Sequence, residues 1–170
     1  MDKAAVLIVD DEEMILDIIR SGLKDEDCRI ITARRGEEGL EILKKNDVSL
    51  VISDQKMPGL SGTAFLKKVR QLYPDMLTII LTGYADLQLA LEAINTAGVY
   101  KFMTKPINLV ELRVTVRRAL EFRQLLIENN RLQNKIKAYE AKLQTLEKQH
   151  PGITRVERDT DGNVLLSGAN

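Results

Sequence analysis

Five side chains of this sequence stand where apolar runs end and chemistry could begin: Asp10, Asp11, Asp54, Thr82 and Lys105. Asp10-Asp11 close the run Ala4-Ala5-Val6-Leu7-Ile8-Val9, and Asp54 closes Leu50-Val51-Ile52-Ser53. Thr82 closes Met76 to Leu81, and Lys105 closes the run that starts at Val99. Carboxylates brought close together repel, and that cost falls when a divalent cation binds among them. Few protein ligands, with room left for waters, suit Mg²⁺ better than Ca²⁺. A hydroxyl and an ammonium opposite such a cation are what a transferred phosphoryl group requires. The cation and the lysine neutralise its oxygens, the hydroxyl donates to one of them, and a carboxylate can be the nucleophile. Taken alone, Asp54 is equally an aspartate that opens the turn at Pro58-Gly59. The residues at the other run ends favour the chemical reading.

Positioning these groups requires strands, and the chain supplies them in alternation with helices. The strand segments are Ala4 to Val9, Arg29 to Ala33, residues 49–53, Met76 to Leu81 and Val99 to Met103. Between them, apolar residues recur at helical spacing. Met14, Ile15, Ile18, Ile19 and Leu23 do so from Glu12 to Lys24, and Leu40, Ile42 and Leu43 from Glu37 to Lys45. A third helix opens at Ser61 or Gly62 and is stopped by Pro74, a fourth covers Asp86 to Ala97 with Gly98 as its C-cap, and Asn108 caps a fifth from Leu109. Strict alternation over about 120 residues implies right-handed crossovers and a doubly wound, three-layer α/β sandwich around a five-stranded parallel sheet. Strand C-termini then share one rim, where such sheets place their chemistry. No Gly-x-Gly-x-x-Gly follows the first strand, which argues against a dinucleotide site.

Composition narrows the classes. Lys+Arg and Asp+Glu are both 25, so nothing draws the whole chain toward nucleic acid or acidic lipid. Residues 106–150 carry nine basic and five acidic side chains, a bias too weak to imply nucleic-acid binding. The basic stretch Arg113, Arg117, Arg118 and Arg123 reads as a solvated helix face or as salt bridges across a dimer. Cys28 is the only cysteine, so neither an intrachain disulfide nor a thiol metal cluster can form. The sequence has neither a run of membrane-spanning length nor the apolar core of a signal peptide, which points to a soluble, cytoplasmic protein with no membrane partner.

Asp10-Asp11, Asp54 followed by Met57-Pro58-Gly59, Thr82-Gly83 and Lys105-Pro106 together resemble the receiver domain of two-component response regulators, over roughly residues 3–120. The set in this order is specific, although no member is. The resemblance implies a flavodoxin-like sheet of strand order 2-1-3-4-5. It implies that Asp54 accepts phosphate from a histidine kinase or phosphotransfer protein. Asp11, Asp54 and the main-chain carbonyl of Lys56 would bind Mg²⁺, with Asp10 acting through a water. Lys105 would pair with the phosphoryl group and Thr82 would move to bond it. Lys105-Pro106 would be cis at Pro106. Phe102 would be the switch aromatic, following Thr82 inward, and the surface of the fourth helix, fifth strand and fifth helix would change. Phe instead of Tyr at this place keeps the steric coupling and loses the hydroxyl. Tyr100 should point to the same side by strand alternation. Lys56 and Tyr84 lie where the family tunes the hydrolytic water, and their bulk implies slow self-dephosphorylation. The protein reads as a signalling switch rather than a metabolic enzyme.

The fifth helix has no strong stop before Pro151. From Phe122 its core positions are Phe122, Leu125, Asn129, Leu132, Ile136, Tyr139, Leu143 and Leu146, a heptad seam with Phe122 at a and Leu125 at d. It would extend about 40 Å. A polar helix of this kind needs a partner, so a coiled coil is expected. Lys135 and Lys142 at g precede Glu140 and Glu147 at e, which matches unlike charges only in a parallel pair, and Asn129 at a agrees. A parallel homodimer follows. A single helix folded back on its own domain is the alternative.

Residues 1–121 are thus read as a receiver, 122–149 as a coiled-coil extension, and 150–170 as a tail. In the tail, 153–158 and 164–166 flank turn residues as a possible hairpin. His150, the only histidine, reads as a surface residue rather than a phosphodonor. Two rival readings stand beside the switch: the amino-terminal part of a larger transcription factor or signalling enzyme, and a coiled-coil interaction scaffold.

Overall fold

The computed structural model describes residues 3–83 and 98–151. The expected fourth helix over 86–97, Tyr84 and the possible hairpin lie outside the described residues. Five parallel strands form one sheet: β1 (Ala4–Val9), β2 (Cys28–Ala33), β3 (Val48–Asp54), β4 (Leu77–Gly83) and β5 (Lys101–Lys105). Their order is β2-β1-β3-β4-β5, all pairs parallel. The order reverses between β1 and β3, so the crevice outside their C-terminal ends is the natural binding position.

Helices α1 (Glu13–Gly22), α2 (Gly36–Lys45) and α3 (Gly62–Leu72) connect the first four strands, and a long helix, Leu109–Gln149, follows β5. One apolar layer joins Val6, Ile8, Leu50, Ile52 and Ile79 of the sheet to Leu16 and Ile19 of α1 and Leu112 and Val116 of the long helix. The opposite layer joins Leu7, Val9, Val51 and Ile80 to Leu43 of α2 and Phe65 and Val69 of α3. Burial on both faces explains why β1, β3 and β4 read as continuous apolar runs rather than alternating ones. Each fully buried Leu or Ile contributes about 1.5–3 kcal/mol.

The ladder extends further toward the site than the apolar runs indicate. Asp54 pairs with Leu81, Thr82 with Thr104, and Gly83 with Lys105. The polar residues therefore finish the strands instead of following them, and β5 starts at Lys101 rather than Val99. On α1 the inward stripe includes Leu16 and Ile19, while Met14 and Ile18 are exposed. Ile18 lies about 100° around the helix from Ile19, enough to leave the buried face. Ser61 Oγ accepts from Ala64 N–H at 3.4 Å and caps α3. Asn108 Oδ1 accepts from the N–H groups of Val110 (3.0 Å) and Glu111 (3.2 Å) and caps the long helix.

The chain divides into two compact units, Met1–Gln124 and Leu125–Asn170. The first runs past residue 121 because Phe122 and Arg123 both have partners in it. The Phe122 ring stacks on Tyr100 with centroids 5.9 Å apart. Arg123 Nη1 donates to the Asp75 carbonyl at 3.0 Å. Tyr100 therefore departs from the placement given by alternation. It precedes β5, so the pleat does not govern it, and it meets the long helix while Phe102 packs on the opposite layer. In the second unit Leu125, Leu132, Ile136, Tyr139 and Leu143 all face solvent.

Candidate phosphoacceptor site

The C-terminal ends of β1, β3 and β5 bring Asp10, Asp54 and Lys105 into one cluster. Lys105 Nζ lies 2.7 Å from Asp54 Oδ1 and 2.9 Å from Asp10 Oδ2. Asp10 is fully buried and the Asp54 side chain is 8% exposed, at the rim of the sheet. The other oxygens are held by the main chain. Glu12 N–H donates to Asp10 Oδ1 at 3.0 Å, and Lys56 N–H to Asp54 Oδ2 at 2.7 Å. Charge-assisted bonds of this kind fix a carboxylate against rotation. The Lys105-Pro106 peptide is cis.

Burial raises the Asp54 carboxyl above its ordinary pKa. Lys105 and the Lys56 N–H offset this only in part, and the neighbouring Asp10 charge adds to it. Burial also opposes the Lys105 ammonium, but the hydrogen bonds and charges of Asp54 and Asp10 together outweigh it and raise that pKa. The asymmetry is that Lys105 answers two carboxylates, whereas Asp54 shares one ammonium with a second anion.

Of the expected metal ligands, Asp10 and Asp54 are brought together through Lys105. Among the described residues, no three carboxyl, imidazole or thiol groups form a ready metal cage. Asp11 is next to the cluster, and its main-chain carbonyl accepts from Arg34 Nη2 at 3.1 Å. Asp10, Asp11, Asp54 and the Lys56 carbonyl offer hard oxygen donors only, and buried, mutually repelling carboxylates gain from added positive charge. That donor set fits Mg²⁺ with most of its shell left to water.

Thr82 is buried in β4 and its hydroxyl donates to the Gly83 carbonyl at 3.3 Å, not to Asp54. Phe102 pairs with Ile80 across the β4–β5 ladder. Three residues at the site were not anticipated. Glu12 Oε1 stands 3.7 Å from Lys105 Nζ, and the acidic run Asp10 to Glu13 was its only signal. Arg34 reaches Asp11 from the loop after β2, across a sequence distance that gives no pattern. Gly62 packs against the Asp54 main chain.

Comparisons with known proteins agree with this geometry. Residues 6–117 match the family described as "Response regulator receiver domain". The sequence is 38% identical over 130 residues to the hydrogenase transcriptional regulatory protein HoxA of Cupriavidus necator, covering 76% of this chain and 27% of that protein. It is 31% identical over 170 residues to the C4-dicarboxylate transport transcriptional regulatory protein DctD of Rhizobium meliloti, covering 96% and 36%. The signal receiver domain of an HD domain-containing protein from Pseudomonas fluorescens Pf-5 matches with a TM-score of 0.71 at 33% identity, over 75% of this chain and 94% of that one. NtrX from Brucella abortus in complex with ADP matches with a TM-score of 0.71 at 30% identity, over 76% and 30%. The chain spans about a third of the length of the curated relatives it matches.

Proposed function

Because the chain belongs to the response regulator receiver family, we propose that Asp54 is its phosphoacceptor and that phosphorylation there switches the β4–β5 side of the sheet. The observation that carries this reading is the position of Asp54: held by Lys105 at 2.7 Å and by Lys56 N–H at 2.7 Å, yet at the rim of the sheet. An Asp54 oxygen attacks the phosphorus of a phosphohistidine on a histidine kinase or phosphotransfer protein. The P–N bond breaks and the imidazole leaves with its electron pair. Lys105 then pairs with the phosphoryl oxygens. Asp11, Asp54 and the Lys56 carbonyl would hold Mg²⁺, with Asp10 acting through a water, and the cation would supply positive charge to the transferred group. Thr82 gives up its bond to Gly83 and turns to the phosphoryl group, and Phe102 moves into the space it leaves. With Lys56 beside the acceptor, self-dephosphorylation is slow, and the protein is a switch rather than a metabolic enzyme.

The exposed stripe from Leu125 to Leu143 supports pairing with a second copy, parallel, as Lys135 and Glu140 match unlike charges only in that orientation. A second aspect of the reading concerns output. The relatives named above are transcriptional regulatory proteins of which this sequence matches about a third, which supports a role as the regulatory portion of a transcription regulator. Among the described residues, no helix is long and apolar enough to cross a membrane.

Intact-protein mass spectrometry after incubation with acetyl phosphate and Mg²⁺ tests the acceptor. One added phosphoryl group is expected in the native chain and none in Asp54→Asn. Undiminished phosphorylation of Asp54→Asn would remove Asp54 from this role.

A further inference from the structure

The peptide that joins Asp11 to Glu12 is held at both ends. Its N–H, that of Glu12, donates to Asp10 Oδ1 at 3.0 Å. Its carbonyl, that of Asp11, accepts from Arg34 Nη2 at 3.1 Å. Lys105-Pro106 is the only cis peptide among the described residues, so this one is trans, with its carbonyl and N–H pointing in opposite directions from one rigid plane. Rotation of that plane breaks both bonds together. Its setting also fixes ψ of Asp11, and with it the direction in which the Asp11 side chain leaves the main chain.

Arg34 stands where it can hold this plane because β2 ends beside β1. The last residue of β2, Ala33, accepts from Asp10 N–H through its carbonyl at 3.1 Å, so the two main chains already touch one residue away. Arg34 N–H donates to Glu38 Oε2 at 2.8 Å, which ties the start of the loop to α2. Arg34 Nε stands 3.7 Å from Glu13 Oε2, in the first turn of α1. The guanidinium fork thus spans the turn from Asp11 to Glu13, which a lysine ammonium, a single point of charge, does not. Glu12, the N-cap of α1, makes no side-chain capping bond, which leaves the turn to these anchors. The Arg34 side chain is 63% exposed, so the contact is worth a few-fold in affinity rather than the whole site.

Resting on the reading of Asp11, Asp54 and the Lys56 carbonyl as Mg²⁺ ligands, we propose that Arg34 is a positioning residue for that site. It sets the Asp11–Glu12 peptide, and through it the Asp11 carboxylate, before the cation binds. Lys105 independently holds the other Asp10 oxygen at 2.9 Å and Asp54 at 2.7 Å. Loss of Arg34 therefore weakens cation binding and leaves the acceptor carboxylate in place.

The test is a Mg²⁺ titration of the full chain followed by amide-resolved NMR. It gives the Mg²⁺ dissociation constant and, before the cation is added, the hydrogen exchange of the Glu12 amide. Arg34→Ala should raise the dissociation constant by about three- to ten-fold and speed exchange of the Glu12 amide by a similar factor. Arg34→Lys should fall between that variant and the native chain. Arg20→Ala, which breaks an exposed pair with Asp17 on α1, should bind Mg²⁺ as the native chain does. At saturating Mg²⁺, Arg34→Ala should accept phosphate from acetyl phosphate within about two-fold of the native rate, the mark of lost affinity rather than lost chemistry. Native affinity in Arg34→Ala while Asp11→Asn binds weakly, or an unchanged Glu12 amide, overturns the role of Arg34 alone. So does a saturated rate that falls as far as the affinity, or equal weakening by Arg20→Ala, since either shows a general structural effect. Mg²⁺ affinity indifferent to Asp11→Asn overturns the proposal together with the metal-ligand reading.

Discussion

Gly62, the first residue of α3, lies so close to Asp54 that a β-carbon on it would overlap the Asp54 main-chain carbonyl. Gly62 N–H also donates to the Gln55 carbonyl at 3.0 Å, so the two segments cannot simply slide apart. Ser53, fully buried, donates to the same Asp54 carbonyl at 3.0 Å. Backbone contact at this place fixes the end of β3 and hence the acceptor carboxylate. Gly62→Ala must shift main chain rather than a flexible side-chain tip, at a cost of about 2–3 kcal/mol. Thermal unfolding followed by circular dichroism should show a midpoint lower by about 10 °C. A midpoint unchanged within error would mean that the turn after β3 yields without cost.

The raised pKa of Asp54 makes a second prediction, whose sign follows from linkage. A carboxyl with a folded-state pKa above its ordinary 3.8 favours the fold when protonated, and that contribution is lost as pH rises through the folded value. At neutral pH the ionised group is therefore a cost to the fold. Asp54→Asn keeps one oxygen acceptor, for Lys105 or for the Lys56 N–H but not for both, and removes the charge. Its melting temperature should exceed that of the native chain at about pH 7, and the difference should narrow toward about pH 4. A variant less stable than the native chain at neutral pH would show that the ion pair with Lys105 outweighs the burial of Asp54.

How far the sequence disclosed this arrangement depends on which physical signal each part leaves. β1, β3 and β4 are covered on both faces, so their buried side chains appear as unbroken apolar runs, and the parallel sheet and the convergence of Asp10, Asp54 and Lys105 on one rim follow from them, whereas the strand order came only from the family resemblance. Strand ends were less legible because the ladder continues through polar residues such as Thr82 and Lys105, where hydropathy changes but hydrogen bonding does not. Tyr100 was misplaced since pleat alternation holds only inside a strand, and it lies one residue before β5. Arg34 and Gly62 act through contacts made only after folding, which leave no periodic trace.

Mg²⁺ should stabilise the fold through Asp11. Its carbonyl is engaged by Arg34, and it directly follows Asp10 of the Asp10–Lys105–Asp54 cluster. Ligand bound only by the folded state raises stability by about 2.7 kcal/mol at a concentration of 100 times its dissociation constant. Saturating Mg²⁺ should accordingly raise the melting temperature of the native chain by several degrees, and the rise should be lost in Asp11→Asn. Calcium at equal concentration should have a smaller effect, because the ligand set leaves most of the shell to water. An equal response of Asp11→Asn would place the cation elsewhere.

Asn129 is the one polar residue on the stripe between Leu125 and Leu143 that lacks an apolar body, and it is exposed in the single chain. In a parallel pair two such residues meet across the seam and can hydrogen-bond, specifying orientation and strand number while lowering stability. Asn129→Leu removes that constraint and adds apolar area, about 1–2 kcal/mol per copy. The variant should associate more tightly than the native chain. It should also populate species larger than dimers, since leucine at a no longer selects two strands. Sedimentation velocity across a concentration series separates the two effects: tighter association moves the midpoint, and larger species add faster boundaries. Unaltered association in Asn129→Leu, with Ile136→Lys equally without effect, would move the dimer contact off this stripe altogether.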